Sequence, residues 1–174
     1  MFADPVKILK QFSIADNMIV ADLGAGSGFY SVAAGHIAKN GKVYAVEVQK
    51  DFLTTIKIKS IDAGLKNVEI IWGDIEKIGG TKIKDGIIDR VIISNVLFQV
   101  SSKHKFLEEA FRILKKSGKI LLVDWAAESG IFSPKNNVVI EKKKAREMLE
   151  EKSFVFERDI DAGEYHYGMI FKKD

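Results

Sequence analysis

The sequence predicts an α/β fold: a parallel sheet covered by helices on both faces, closed at its end by an antiparallel hairpin. Three observations lead there. Strand and helix patterns alternate along most of the chain, the signature of strand–helix–strand crossovers. The strand segments are near-continuous apolar runs, as in sheets buried on both sides. The last two strand patterns are joined by a link around Asp161-Ala162-Gly163, too short for a helical crossover, so they pair antiparallel.

The elements follow in order. Asp4 caps a short helix that begins at Pro5 and runs to about Phe12. Met18–Leu23 is a short apolar run ending in glycines, a buried strand. Gly28–Lys39 is a helix with Phe29, Val32, Ala33 and Ile37 on its inner face and Asn40-Gly41 as its stop. Lys42–Glu47 is the second strand, Asp51–Ala63 a helix ended by Gly64, and Val68–Trp72 the third strand. Ile87–Ile93 is the fourth, interrupted by the polar pair Asp89-Arg90. Lys103–Lys115 is a helix that packs Phe106, Leu107, Ala110, Phe111 and Leu114 inward, capped by Ser101 or Ser102 and ended by Ser117-Gly118. Lys119–Asp124 is the fifth strand. A helix over Val138–Lys152 then leads to the hairpin strands Ser153–Arg158 and Tyr165–Lys172.

Composition narrows the function. The 174 residues suit a single domain spanning 1–174. With 47% hydrophobic and 29% charged residues the chain is an ordinary globular one. It has no cysteine, which excludes disulfides, thiolate metal sites and a thiol nucleophile. Its three histidines, His36, His104 and His166, are far apart in sequence, so no metal site is expected. The net charge of +3 is too mild to mark a nucleic-acid face. The basic run Lys142-Lys143-Lys144 with Arg146 is interspersed with Glu141, Glu147, Glu150 and Glu151, as on a solvated helix face. No stretch approaches the ~20 apolar residues of a membrane span. Met1–Pro5 lacks a basic segment followed by an apolar core, so a cytoplasmic location is the expectation.

The chemistry concentrates where the first strand runs into Asp22-Leu23-Gly24-Ala25-Gly26-Ser27-Gly28 and a helix begins. A glycine-rich turn there lets backbone approach a ligand and presents free N–H groups. Glu47 ends the second strand, where a carboxylate can accept both ribose hydroxyls of a nucleoside. The turn is one residue shorter than the dinucleotide pattern G-x-G-x-x-G. Asp22 at its mouth would repel a pyrophosphate and suits a ligand carrying an ammonium or other positive charge.

In these residues the sequence resembles the class I S-adenosylmethionine-dependent methyltransferases. The resemblance rests on Val20–Gly28, Val43–Glu47, Trp72-Gly73-Asp74, Asp89–Asn95 and Gly118–Asp124, in that order along nearly the whole chain. It implies a Rossmann-like doubly wound seven-stranded sheet, order 3-2-1-4-5-7-6, with the last strand antiparallel. It also implies S-adenosylmethionine as the cofactor. Gly24, Ala25, Gly26 and Gly28 would lie under its methionine part, with Asp22 fixing this loop and the amino group. Glu47 would bind the ribose hydroxyls and Val48 would lie against the adenine. Asp74, followed by Ile75, would take the adenine amino group, and Asn95 and Val96 would line the cofactor near its sulfonium.

The acceptor is less legible. Methyl transfer from a sulfonium is an in-line displacement that needs a base only if the acceptor holds a proton that must leave early. Asp124, ending the fifth strand, and His166, starting the last, are the candidates for a catalytic role. No prolines follow Asn95 in Ser94–Gln99, unlike the relatives that methylate base amino groups or glutamine amides. The segment looks more like the small-molecule branch, similar to quinone-biosynthesis or arsenite methyltransferases. The arsenite likeness excludes the chemistry, which there uses cysteines. A small-molecule acceptor is therefore expected. The competing readings are an RNA- or protein-directed methyltransferase, a non-catalytic cofactor-binding scaffold, and a nucleotide-dependent oxidoreductase. The stretch Trp125–Asn137 is expected to act as a lid. The oligomeric state is left open.

Overall fold

A computed structural model describes residues 3–126 and 139–174. The predicted lid beyond Ala126 lies outside the described residues. In chain order the elements are α1 (Pro5–Phe12), β1 (Ile19–Leu23), α2 (Phe29–Ile37), β2 (Lys42–Glu47), α3 (Lys50–Asp62), β3 (Val68–Trp72), β4 (Ile88–Ser94), α4 (Lys103–Ile113), β5 (Leu114–Trp125), α5 (Lys142–Glu150), β6 (Phe154–Ile160) and β7 (His166–Lys173).

The strands form one seven-stranded sheet in the order β3-β2-β1-β4-β5-β7-β6. β1 through β5 run parallel, and β7 pairs antiparallel with both β5 and β6. This is the order that the family resemblance implies and the hairpin that the sequence pattern predicts. One face of the sheet packs under α4 and α5, with Phe106, Ile113, Leu149 and Phe171 fully or almost fully buried. The other face carries α1 and α2, through Ile8, Leu9, Phe12 and Ala34. Asp4 caps α1, accepting the N–H of Val6 at 2.9 Å. No helix among the described residues is long and apolar enough to cross a membrane.

Three local expectations are corrected. Phe29 does not face inward: it is 63% exposed, with Lys59 Nζ 3.5 Å from its ring centre. The buried face of α2 is made of small residues, Ser31, Ala33, Ala34 and Gly35, because Gly35 sits so close to Leu65 and Val68 that a Cβ there would crowd both. α4 ends at Ile113 rather than at Lys115. Leu114 already pairs with Ile88, and the register then shifts before Lys119 resumes opposite Arg90. The Ser117-Gly118 pair thus lies inside β5, where Ser117 takes a φ of 64°, and does not stop the helix. Ser102 holds the capping position of α4 but makes no side-chain cap bond. Its backbone N–H instead donates to Glu76 Oε2 at 2.6 Å, tying α4 to the loop after β3.

Candidate functional site

The carboxyl ends of β1 to β4 open into one cleft of about 840 Å³, within the roughly 300–1,000 Å³ range of small-ligand sites. Its floor is the turn after β1. Gly24 has a φ of 75°, and a Cβ there would stand 2.6 Å from Val96 Cγ2, so both conformation and space demand glycine. The N–H groups of Gly24 and Ala25 donate to the Val46 carbonyl at 2.9 and 3.0 Å. This stitches the turn to the end of β2. Gly28, at φ 81°, precedes α2 and packs where a Cβ would meet Ile56 of α3 at 2.9 Å.

Glu47 closes the same corner. Its carboxylate accepts the N–H of Gly26 at 2.9 Å on one oxygen, and those of Val48 and Gln49, both at 2.8 Å, on the other. Three backbone donors fix the group in one orientation at the cleft wall. A pair of adjacent hydroxyls matches such a carboxylate, which only accepts hydrogen bonds. At the end of β3, Asp74 accepts the N–H of Glu76 at 3.0 Å and pairs with Lys77 at 3.0 Å. The bond from Lys77 chiefly holds its carboxyl below the usual range.

All of the residues expected to hold the cofactor line this cleft except Asp22 and Gly28. Asp22 stands behind the turn, 2% exposed, and its Oδ2 accepts the Ser31 hydroxyl at 2.6 Å. Burial pushes its carboxyl up to about 6, against the opposing Ser31 bonds and with a smaller push from Glu47. It locks β1, the turn and α2 into one unit.

The β4 end supplies the far wall. Asn95 has a φ of 55°, the left-handed region that asparagine enters more readily than most residues. Its N–H donates to the Val123 carbonyl at 2.9 Å and its own carbonyl accepts from Gln99 Nε2 at 2.6 Å. Its side-chain Oδ1 is buried with no partner.

Asp124 and His166 do not line the cleft and do not meet. Asp124 pairs with Tyr167 across the antiparallel register, and Trp125 with His166. Alternation puts the two pairs on opposite faces of the sheet. Asp124 is 1% exposed. Its Oδ1 accepts the Trp125 N–H at 2.8 Å, and the nearby backbone amides of Phe98 and Leu97 favour its charged form. Its Oδ2 has no partner, and burial raises its carboxyl to about 6. His166 stacks on Trp125 with ring centres 4.3 Å apart, and burial lowers its basicity.

The cleft also recruits residues that motif reading passed over: Tyr30, Gln49, Phe52 and Gln99. Tyr30 sits in the first turn of α2, and Gln49 and Phe52 directly follow the acid of β2, so their positions beside recognised motifs were a usable signal. Gln99 carried none. The Tyr30 hydroxyl is buried with no hydrogen-bond partner and stays protonated, pushed up to about 12 by burial and then by the carboxylates of Asp22 and Asp4.

A family model described as a methyltransferase domain matches residues 14–169. The chain is 28% identical over 165 residues to the ribosomal protein L11 methyltransferase of Limosilactobacillus reuteri, covering 92% of this chain and 44% of that protein. It is 31% identical over 117 residues to human arsenite methyltransferase, covering 63% and 31%. The chain thus spans less than half the length of these curated relatives. A crystal structure of a SAM-dependent methyltransferase from Aquifex aeolicus superposes with a TM-score of 0.91 at 29% identity, covering 99% of this chain and 91% of that one.

Proposed function

The chain belongs to the methyltransferase-domain family, and from that premise we propose that it transfers the methyl group of S-adenosylmethionine to a small-molecule acceptor. The observation that carries the cofactor reading is Glu47, held by three backbone N–H groups at the end of β2 beside the glycine turn. Bound there, the cofactor supplies a methyl group on a sulfonium, which leaves as a neutral thioether when a nucleophile attacks in line. The residues present fit such a ligand. Glu47 accepts from the ribose hydroxyls, with Val48 and Ile75 flanking the adenine and Asp74 accepting from its amino group. Gly24, Ala25 and Gly26 give the methionine part room against backbone. Asp22 contributes negative charge from behind the turn and Gly28 holds the turn against α3.

These groups occupy the ends of β1, β2 and β3, which leaves the β4 end for the acceptor. There the wall carries neutral polar groups, Tyr30, Ser94, Asn95 and Gln99, beside apolar Pro5 and Val96. That enclosure by N-terminal residues and the segment after β4 supports a small acceptor. In this reading Asp124 is a positioning residue: it is buried at the end of β5 beside the Leu97 and Phe98 amides, next to Val123, whose carbonyl holds the Asn95 N–H. His166, on the other face of the sheet, is given no contact with the acceptor.

Calorimetry with S-adenosylhomocysteine is expected to show micromolar binding, weakened roughly 10- to 100-fold by Glu47→Ala through loss of charged hydrogen bonds. Tight binding of NAD instead would refute the cofactor reading. Incubation of the protein with methyl-labelled cofactor and fractionated cell extract is expected to label the small-molecule fraction. Label confined to RNA or protein would refute the acceptor class.

A further inference from the structure

Three of the four cations in the basic run Lys142-Lys143-Lys144 with Arg146 are paired in the fold. On α5, Lys142 pairs with Asp159 at 2.9 Å, Lys144 with Glu147 at 3.4 Å and Arg146 with Glu150 at 2.8 Å. A different set of cations lies at the adenosine end of the cleft, on α3 and the loop after β3. Trp72, at the end of the edge strand β3, is 53% exposed. Its Nε1 donates to the Val48 carbonyl at 3.0 Å, which fixes the ring. Lys50 Nζ stands 4.9 Å and Lys82 Nζ 5.6 Å from the ring centre. Lys82 is itself anchored, donating to the Trp72 carbonyl at 2.6 Å. In the last turn of α3, Lys59 lies over the exposed ring of Phe29, which lines the cleft. Among the described residues none of these three lysines has a carboxylate within ion-pair distance. Glu69 and Asp74 are taken up by Lys42 and Lys77, while Asp51 and Asp62 share α3 with Lys50 and Lys59.

We infer that this rim docks single-stranded nucleic acid: a base stacks on Trp72 as the Lys50 and Lys82 ammonium groups over its ring swing out to neighbouring phosphates, with Lys59 taking a further one. A rigid exposed aromatic face flanked by unneutralised cations is how proteins hold unpaired strands with little sequence preference. A duplex offers no unstacked base to such a ring. The net charge of +3 gives no hint of the surface, because what marks it is the placement of lysines beside an exposed ring. The assignment is independent of the acceptor, since the rim sits at the opposite end of the cleft from the β4 wall.

The test is fluorescence anisotropy with a labelled 12-nucleotide strand, in RNA and DNA arms, on the full chain saturated with S-adenosylhomocysteine. Micromolar affinity at low salt is expected, with a log–log salt slope of about −2 for three phosphate contacts. Trp72→Ala is expected to weaken binding roughly tenfold, while Trp72→Phe restores most of it, as stacking requires and the indole hydrogen bond does not. Lys50→Gln with Lys82→Gln should flatten the salt slope and leave S-adenosylhomocysteine affinity within about threefold. The RNA and DNA arms report which strand is preferred. The inference is overturned by no binding at about 100 μM, by equal affinity for duplex or for polyphosphate, or by a Trp72→Ala protein that melts normally and binds as well as the parent. Loss of S-adenosylhomocysteine binding by the parent would strike the proposed function and not this surface.

Discussion

Asp22 carries a carboxylate where burial disfavours its charge. Its folded value of about 6 lies above the ordinary 3.8, so the folded state holds the proton more tightly than the unfolded chain. The group therefore favours folding most below its unfolded value, and that contribution is lost as pH rises through the folded one. Asp22→Asn removes the ionised form while an amide oxygen can still accept the Ser31 hydroxyl. In urea denaturation the variant is expected to be more stable than the parent near neutrality, by on the order of 2–3 kcal/mol. The gap should close as pH falls below the unfolded value. Equal stability of the two proteins across that range would show that Asp22 does not carry the strained charge. The strain makes chemical sense beside a cationic ligand, which would be expected to relieve it.

One helix and one loop share their stability through Glu109. This residue of α4 is fully buried. It accepts from the Gly79 N–H at 2.8 Å, the Thr81 hydroxyl at 2.5 Å and two nitrogens of Arg112 at 2.7 and 2.8 Å. Burial alone would raise its carboxyl, but the bonds from Arg112, Thr81 and Gly79 win and bring it to about 2. Arg112 also pairs with Asp85. The network clamps the loop between β3 and β4 onto α4, and that loop begins with the Asp74–Glu76 wall of the cleft. Glu109→Ala leaves Arg112 and the loop amides without their partner. A loss of about 3–5 kcal/mol in urea denaturation is expected, the cost of breaking a buried ion pair from one side. Glu109→Gln, which keeps an acceptor, should lose less. A near-neutral Glu109→Ala would mean that the loop is held elsewhere.

Across the whole molecule, α1 is the piece that joins the two ends of the chain. Ile8, Leu9 and Phe12 are each 1% exposed in the core beneath α2. Gln11 bonds Asp161 through its side chain at 2.8 Å, and its carbonyl accepts from Arg158 at 2.5 Å. Burying three such side chains is worth roughly 5–9 kcal/mol, comparable to the net stability of a typical domain. Deleting residues 1–13 is therefore expected to abolish cooperative thermal unfolding followed by near-ultraviolet circular dichroism. A truncated chain that still melts in one sharp transition would show that α1 is an accessory.

Most of the fold was written in local pattern. The apolar runs at Lys42–Glu47 and Val68–Trp72 match their strands at both ends: the first because its residues are largely buried within the sheet, the second although it forms the half-buried edge. The glycine turn and Glu47 were legible because backbone conformation and a strand-end carboxylate are set within a few residues. What tertiary structure alone decided were matters of which face and which neighbour. Phe29 is exposed because α2 approaches the sheet too closely for a large ring. Asp124 and His166 are separated because register places adjacent positions on opposite faces. Lys142, Lys144 and Arg146 are neutral in effect because carboxylates reach them, while Lys50, Lys59 and Lys82 lie over aromatic rings. Sequence spacing fixes periodicity along an element, but pairing between elements depends on distances that no single segment carries.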